Sequence, residues 1–407
     1  MIRTTSHSLQ FATDFKKSKL DDLFSEYQIV VNKFINLFWN EKKLVSKPNK
    51  DQWRQVESWM CGKVMKCAYR QAIQMIKSTK DKQNKLVWKQ YKSVFKRAKD
   101  KNKDWDITKL KWSEWSKDKK FRDKTKIPEF NGNSIELNSD LITVYTETKV
   151  KSFDLIVRLG SIFGNRYSLV LPTKKHKQFN KHISNGFVIT SSGRLRRSQN
   201  GQYFIDLFLE KETPQVKESG EVIGIDVGIK KLMSLSNGEF IGKNIEKLIQ
   251  KVKSKKQNSL NQKKAIKEVK DYIGKCVNDL ELDNLSCIVI EDIKQSKMMK
   301  RGKSSKNHRK TLSKWYHNLF VGRLSDRCEE NRVFLTTINP AYTSQKCSHC
   351  GEIHIESRNG ELYLCKSCGL QMDADYNASI NIKNCFLNKE FTVPNDTKSF
   401  LSFPNLE

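Results

Sequence analysis

The chain has 407 residues, with 76 Lys and Arg against 45 Asp and Glu and a formal net charge of +31. Single hydrophobic cores stop growing at roughly 250–300 residues, so this length predicts more than one domain, and the charge predicts a polyanionic partner. No run of roughly 18 apolar residues occurs, and Met1 to Leu9 lacks the apolar core of a signal peptide, so a soluble, intracellular protein with no membrane partner is expected.

Residues 2–12 alternate and suit a first strand. From Leu20 to Asn40, apolar residues recur at Leu20, Leu23, Phe24, Tyr27, Val30, Val31, Phe34, Leu37 and Phe38, the three-and-four spacing of an amphipathic helix. The helical pattern continues through Trp53, Val56, Trp59, Val64 and Met65, then Ala68 to Met75 and Leu86 to Ala98. Lys99 to Lys126 reads as a boundary in which Trp105, Trp112 and Trp115 stand among lysines. These tryptophans, with Tyr342, are candidates either for stacking on bases or for core packing. From Ser134 to Glu212 the period changes to two, with turns at Asn-Gly, Gly or Pro, which predicts a small β domain. Lys174, Lys175, Lys177, Arg194, Arg196 and Arg197 are expected in its loops as a basic rim. The tail after Phe391 is weakly patterned.

Residues 222–238 (VIGIDVGIKKLMSLSNG) read as a buried strand ending in Asp226, a turn, a second strand and an Asn237-Gly238 hairpin turn. Residues 287–293 (CIVIEDI) form another apolar run ending in Glu291 and Asp292. Burying an unpaired carboxylate is costly, so acids that close hydrophobic strands suggest a site, although each alone also suits a strand end reaching solvent. In residues 372–382 (MDADYNASINI), Asp373 or Asp375 opens a helix, where an N-cap is the alternative role. Three carboxylates in a basic chain suit phosphodiester hydrolysis with two Mg²⁺ or Mn²⁺ ions, because carboxylate oxygens are hard ligands and paired ions activate water and stabilise the leaving oxygen.

Of ten cysteines, Cys61, Cys67, Cys276, Cys287, Cys328 and Cys385 are scattered. The other four form two pairs, Cys347-Ser-His-Cys350 and Cys365-Lys-Ser-Cys368, separated by fourteen residues, with Gly351 and Gly369 directly behind them. This spacing predicts one structural Zn²⁺ held by four thiolates in a ribbon, with no coordination position open for chemistry. His349 and His354 are substitute ligands at most.

The order GIDVG, IVIED, NPAYTSQKCSHCG, CKSCG, DADYNASINI over roughly residues 218–385 resembles the TnpB family of transposon-encoded RNA-guided nucleases and the compact type V CRISPR effectors. The resemblance implies a multi-domain α+β protein: a helical recognition lobe inserted in a β-barrel wedge domain, then an α/β RNase H-like RuvC domain with an inserted zinc ribbon. The implied boundaries are 1–18 for the wedge's first strand, 19–127 for the recognition domain, 128–215 for the wedge barrel and 216–407 for the nuclease, with the zinc-binding, target-nucleic-acid-binding insertion at about 343–371. It places the catalytic, magnesium-holding acids at Asp226, Glu291 and Asp375, with Asp373 and Asp292 as neighbours. It implies cleavage of target DNA at that single site after recognition of a short flanking motif and pairing of a guide RNA. The partners are then guide RNA and target DNA, the protein acting as a monomer or a homodimer on one RNA, in the cytoplasm of a prokaryotic cell and with the nucleoid when on DNA. The N-terminal half holds no second cysteine cluster, so the amino-terminal zinc finger of some miniature relatives is absent. A guide-directed repressor with little cleavage and a guide-free, transposase-like zinc-ribbon DNA-binding protein are the alternatives. The basic run Lys294 to Lys310 is expected as a loop covering the catalytic cleft.

Overall fold

The computed structural model describes residues 1–41, 44–100, 126–148, 152–160, 162, 168–293 and 316–388, and over 90 and 92–100 the backbone alone. Trp105, Trp112, Trp115, the loop 294–310 and the tail after Phe391 lie outside the described residues. The protein is mixed α/β and divides into two compact units, Met1–Lys211 and Glu212–Glu407. No helix among the described residues is long and apolar enough to cross a membrane.

In the first unit, strand β1 (Ile2–Ser8) leads into helix α1 (Asp14–Phe38), capped by the Thr13 hydroxyl, which accepts from the Lys16 backbone N–H. The spacing read in the sequence becomes one buried stripe, from Leu20, Leu23 and Phe24 to Phe34, Ile35 and Phe38. A short helix α2 (Lys50–Arg54), closed by a reciprocal cap between Asn49 and Gln52, precedes the long α3 (Gly62–Asp100). The β segment supplies β2 (Ser134–Leu137), β3 (Ile142–Tyr145), β4 (Leu155–Leu159), β5 (Leu169–Thr173), helix α4 (Lys177–Ser184), β6 (Val188–Arg197) and β7 (Tyr203–Glu210).

Two expectations are corrected here. The β segment does not close into a barrel among the described residues: its strands form two open sheets, one ordered β1-β7-β6-β2 and the other β3-β4-β5, both antiparallel throughout. Leu155, Val157, Leu159 and Leu171 of the smaller sheet share one buried cluster with Ile135, Leu195, Ile205 and Leu207 of the larger, so burial is satisfied face to face without edge pairing. The arginines do not form a loop rim either. Arg194, Arg196 and Arg197 end strand β6, and each meets an acid: Arg194 Nε donates to Glu136 at 2.8 Å, Arg196 donates to both oxygens of Asp206 at 2.5 and 2.9 Å, and Arg197 donates to Asp21 at 3.1 Å. Cross-strand pairs hold Arg194 and Arg196 in the ladder and a helix acid meets Arg197, where the charge pattern alone read a loop. Lys177 opens α4, whereas Lys174 and Lys175 do stand between β5 and that helix.

The second unit is built on a five-stranded sheet of order β10-β9-β8-β11-β12, from β8 (Glu221–Asp226), β9 (Met233–Leu235), β10 (Phe240–Ile241), β11 (Leu285–Glu291) and β12 (Phe334–Ile338). Strands β8, β11 and β12 are parallel, while β9 and β10 run back as antiparallel hairpins. Helices α5 (Ile245–Ser254), α6 (Leu260–Asp279) and α7 (His317–Glu330) cover one face and α8 (Ala374–Leu387) lies on the other. Strand β11 therefore reads as a continuous apolar run: Ile288 and Ile290 enter the core with α5, α6 and α7, and Cys287 and Val289 pack with Ile382 and Cys385 of α8. Helix α8 sits directly on the β8 backbone at Gly224, where an added Cβ would lie 2.2 Å from the Ser379 carbonyl oxygen and 2.6 Å from the Lys383 nitrogen. Between β12 and α8 runs a small sheet of β13 (Arg358–Asn359), β14 (Leu362–Leu364) and β15 (Gln371–Asp373).

Candidate carboxylate and cysteine sites

Asp226 and Glu291 end adjacent parallel strands, whose register sets Ile225 beside Ile290, so the two acids emerge side by side at the carboxyl edge of the sheet. That edge is where an open α/β sheet offers a crevice. Asp375 reaches the same place from the first turn of α8, and the seat at Gly224 brings that helix end over β8. All three line one cavity of about 400 Å³, together with Thr343, Arg358 and Lys230. Asp292, one residue further along, does not line it. Asp373, the other acid of the third motif, caps α8: its Oδ1 accepts from the backbone N–H of Asp375 at 3.0 Å and of Tyr376 at 3.1 Å, and its Oδ2 pairs with Lys231. The choice that the residues left open between capping and lining is thus divided between the two aspartates.

Electrostatics set the character of the cavity. Burial, and then the negative charges of Glu291 and Asp375, push the Asp226 carboxyl up to about 8. Glu291 is raised by burial, against the opposing pull of the Thr343 hydroxyl bond and the Arg358 charge. Arg358 donates to Asp375 Oδ1 at 2.7 Å, and the Lys231 ammonium stands 3.8 Å from Asp375 Oδ2 and 4.3 Å from the Phe240 ring centroid. Three acids facing one cavity repel one another, and the two basic side chains offset part of that cost. Sequence reading missed Thr343, Arg358 and Lys231. Arg358 lies between the cysteine pairs, and nothing in its local pattern distinguishes it from a surface charge.

The cysteine site is tighter. One ligand sulfur from each of Cys347, Cys350, Cys365 and Cys368 lies within 4.8 Å of the others, and this is the one such His/Cys/Asp/Glu group of three or more among the described residues. Sulfur separations are 3.7 Å for Cys347–Cys368 and 3.6 Å for Cys350–Cys365. A tetrahedron with Zn–S bonds of about 2.3 Å has edges of about 3.8 Å, so the four thiols match a zinc ion in size. The thiols share their protons unequally: the Cys368 N–H, 3.5 Å from the Cys365 sulfur, is the first cause of a Cys365 thiol lowered to about 6, while Cys350 is pushed up to about 12 and Cys368 is also raised. Gly351 and Gly369 have φ of +81° and +74°, the left-handed turn that each knuckle requires. Neither His349 nor His354 belongs to the group, and His354 Nε2 instead lies 3.2 Å from the Ser367 hydroxyl. Tyr342 is 56% exposed with φ +66°, so it is not core.

Residues 317–382 match the family model described as Cas12f1-like, TNB domain. That span contains Thr343, the four cysteines, Arg358 and Asp375. Over part of its length the chain is similar to TnpB-type proteins. It is 30% identical over 218 residues, 45% of this chain, to InsQ of Escherichia coli (strain K12), which is named as an RNA-guided DNA endonuclease, and 34% identical over 130 residues, 31% of this chain, to a TnpB-like protein of Aquifex aeolicus. It is 38% identical over 72 residues, 17% of this chain, to the CRISPR-associated endodeoxyribonuclease Cas12f1 of Sulfoacidibacillus thermotolerans. The matches span 53%, 42% and 17% of those three proteins, about half their length or less.

Proposed function

We propose that the chain is an RNA-guided DNA endonuclease that hydrolyses phosphodiesters at a single RuvC-type site of RNase H-like fold, with Asp226, Glu291 and Asp375 as its metal-holding acids. The observation that carries this reading is that three acids from segments far apart in sequence share one cavity at the carboxyl edge of a parallel strand pair. The names of the relatives and the net charge of +31 support nucleic acid as the partner.

The residues fit Mg²⁺ or Mn²⁺. A carboxyl held up to about 8 by burial and by two neighbouring acids is short of positive charge, and hard oxygen donors suit a hard cation. When bound, a pair of such ions supplies an activated water and stabilises the leaving oxygen. The chain's own part is placement. Strands β8 and β11 hold the Asp226 and Glu291 carboxyls adjacent, Thr343 orients Glu291, and Arg358 fixes one oxygen of Asp375. The cysteine site, by this reading, holds Zn²⁺ in a purely architectural role.

In the same proposal, residues 19–127 form the recognition lobe, 1–18 and 128–215 the wedge, 216–407 the nuclease and about 343–371 its zinc-binding insertion. Guide RNA pairs with the target strand after a short flanking motif is read, so specificity lies mainly in base pairing, while the protein senses heteroduplex shape and backbone. Purified protein with its copurifying RNA, Mg²⁺ and a plasmid carrying the matched target is expected to cut. Asp226→Ala is expected to lower the cleavage rate by at least about 10³-fold, the scale of losing a group that acts in the transition state, while guide-dependent DNA binding persists. A variant that nicks at the parent rate would overturn the assignment, and a parent that binds without cutting would favour the repressor reading.

A further inference from the structure

Besides lining the cavity, Thr343 ties the cysteine site to the carboxylates. It is 3% exposed, and its hydroxyl donates to Glu291 Oε1, with the Pro340 carbonyl 3.3 Å away as the more distant acceptor. Its own carbonyl accepts from Asn381 Nδ2 at 2.9 Å. The same Asn381 amide donates to the Lys346 carbonyl at 2.6 Å, which also receives Asn377 Nδ2 at 2.9 Å, and Asn377 Oδ1 accepts from the Ser348 backbone N–H at 2.9 Å. Asn377 and Asn381 lie four residues apart and so share one face of α8, and both are essentially inaccessible to water. A buried carboxamide without partners is costly, and each of these has its bonds on the segment 343–348.

The strap therefore has defined ends. At one end is Cys347, flanked by Lys346 and Ser348, both bonded to α8. At the other is the hydroxyl on Glu291. Its anchor is the helix whose first turn carries Asp375, two residues before Asn377. A shift of the first cysteine knuckle must move the Thr343 hydroxyl, stretch the Asn377 and Asn381 bonds, or both. The parallel strands themselves fix only the Glu291 backbone, and the carboxyl is turned into the cavity by a side chain from the loop leading to the knuckle.

We propose that Thr343, Asn377 and Asn381 form a hydrogen-bonded strap that makes the cysteine site a positioning element for Glu291 and Asp375. This rests on the reading of those acids as a divalent-metal site. Groups that orient metal ligands through hydrogen bonds change metal affinity by about 10–100-fold when removed. In full-length protein, Mn²⁺ titrated under electron paramagnetic resonance reports binding at the carboxylates, with Asp226→Asn identifying which bound ion belongs there. Thr343→Val, which keeps the shape and removes the hydroxyl, is expected to weaken that ion by about 10–100-fold with zinc content unchanged. Thr343→Ser is expected to bind as the parent does. Asn381→Ala, which leaves Thr343 in place but cuts its anchor, is expected to weaken Mn²⁺ in the same direction and provides the test if the valine variant fails to fold. Parent-like Mn²⁺ affinity in Thr343→Val or Asn381→Ala would overturn the strap while leaving the carboxylate reading intact. An Asp226→Asn protein that binds Mn²⁺ as the parent does would overturn both.

Discussion

The four thiols and the three carboxylates belong to the same unit but are assembled in opposite ways. The thiols come from residues 347–368, two knuckles turned by left-handed glycines, and their sulfurs already lie within 4.8 Å of one another. The carboxylates come from positions 226, 291 and 375, and bringing them together takes one parallel strand pairing and a helix seated on a glycine. They do not gather as tightly as the sulfurs. Like charges in a buried space repel, and Arg358 and Thr343 each take an oxygen aside. A local motif can carry its geometry in its spacing, whereas a site drawn from the whole unit inherits geometry from packing and stays strained by its own charge.

This contrast can be attacked at three points. The largest effect is expected from Cys365→Ser, which removes a buried ligand of the local site: zinc per chain should fall from one toward none, and limited proteolysis should open the segment around 347–371, as structural zinc and folding are linked. A Cys365→Ser protein that keeps full zinc and protease resistance would break the contrast.

The second tests the charge strain. The Asp226 carboxyl is raised in the folded state to about 8, above an unfolded value of about 3.9, so the folded chain holds a proton that the unfolded chain has lost. Without added divalent ions, this group's contribution should be fully present below about pH 4 and lost as pH rises to about 8, with a slope of at most about 1.4 kcal/mol per pH unit. Asp226→Asn cannot ionise, so its denaturation curves should lack that descent and the variant should be the more stable protein at pH 8. Equal pH dependence in the two proteins would show that the carboxylates are not strained by one another.

The smallest effect is expected from Gly224→Ala. A methyl placed 2.2 Å from the Ser379 carbonyl must lift α8, costing about 1–3 kcal/mol as overpacking does. The helix end bearing Asp375 moves with it, so Mn²⁺ affinity at the carboxylates should fall while zinc content stays unchanged. Loss of zinc without loss of Mn²⁺ would reverse the expected order of dependence.

Much of this was legible in the residues. The stripe from Leu20 to Phe38 gave α1, and apolar runs closed by acids located both Asp226 and Glu291 on strand ends, because a strand buried on both faces cannot alternate. The cysteine pairs needed only their spacing. What the residues could not tell was which charges are answered. Arg194, Arg196 and Arg197 looked like a free rim, and only the pairing of β6 with its neighbours supplied Glu136 and Asp206, while α1 supplied Asp21. Likewise Arg358 and Thr343 became part of the carboxylate site through contacts with residues 17 and 52 positions away in the chain.

By itself, then, the sequence determined the elements and the thiol site, since periodicity, turn glycines and close cysteine pairs act over a few residues. Tertiary structure alone decided that the β segment stays as two open sheets, that Asp373 caps the helix while Asp375 faces the cavity, and that the loop before Cys347 reaches Glu291. Those outcomes depend on which buried polar groups find partners once distant segments meet, and that is a property of the packed chain rather than of any stretch of it.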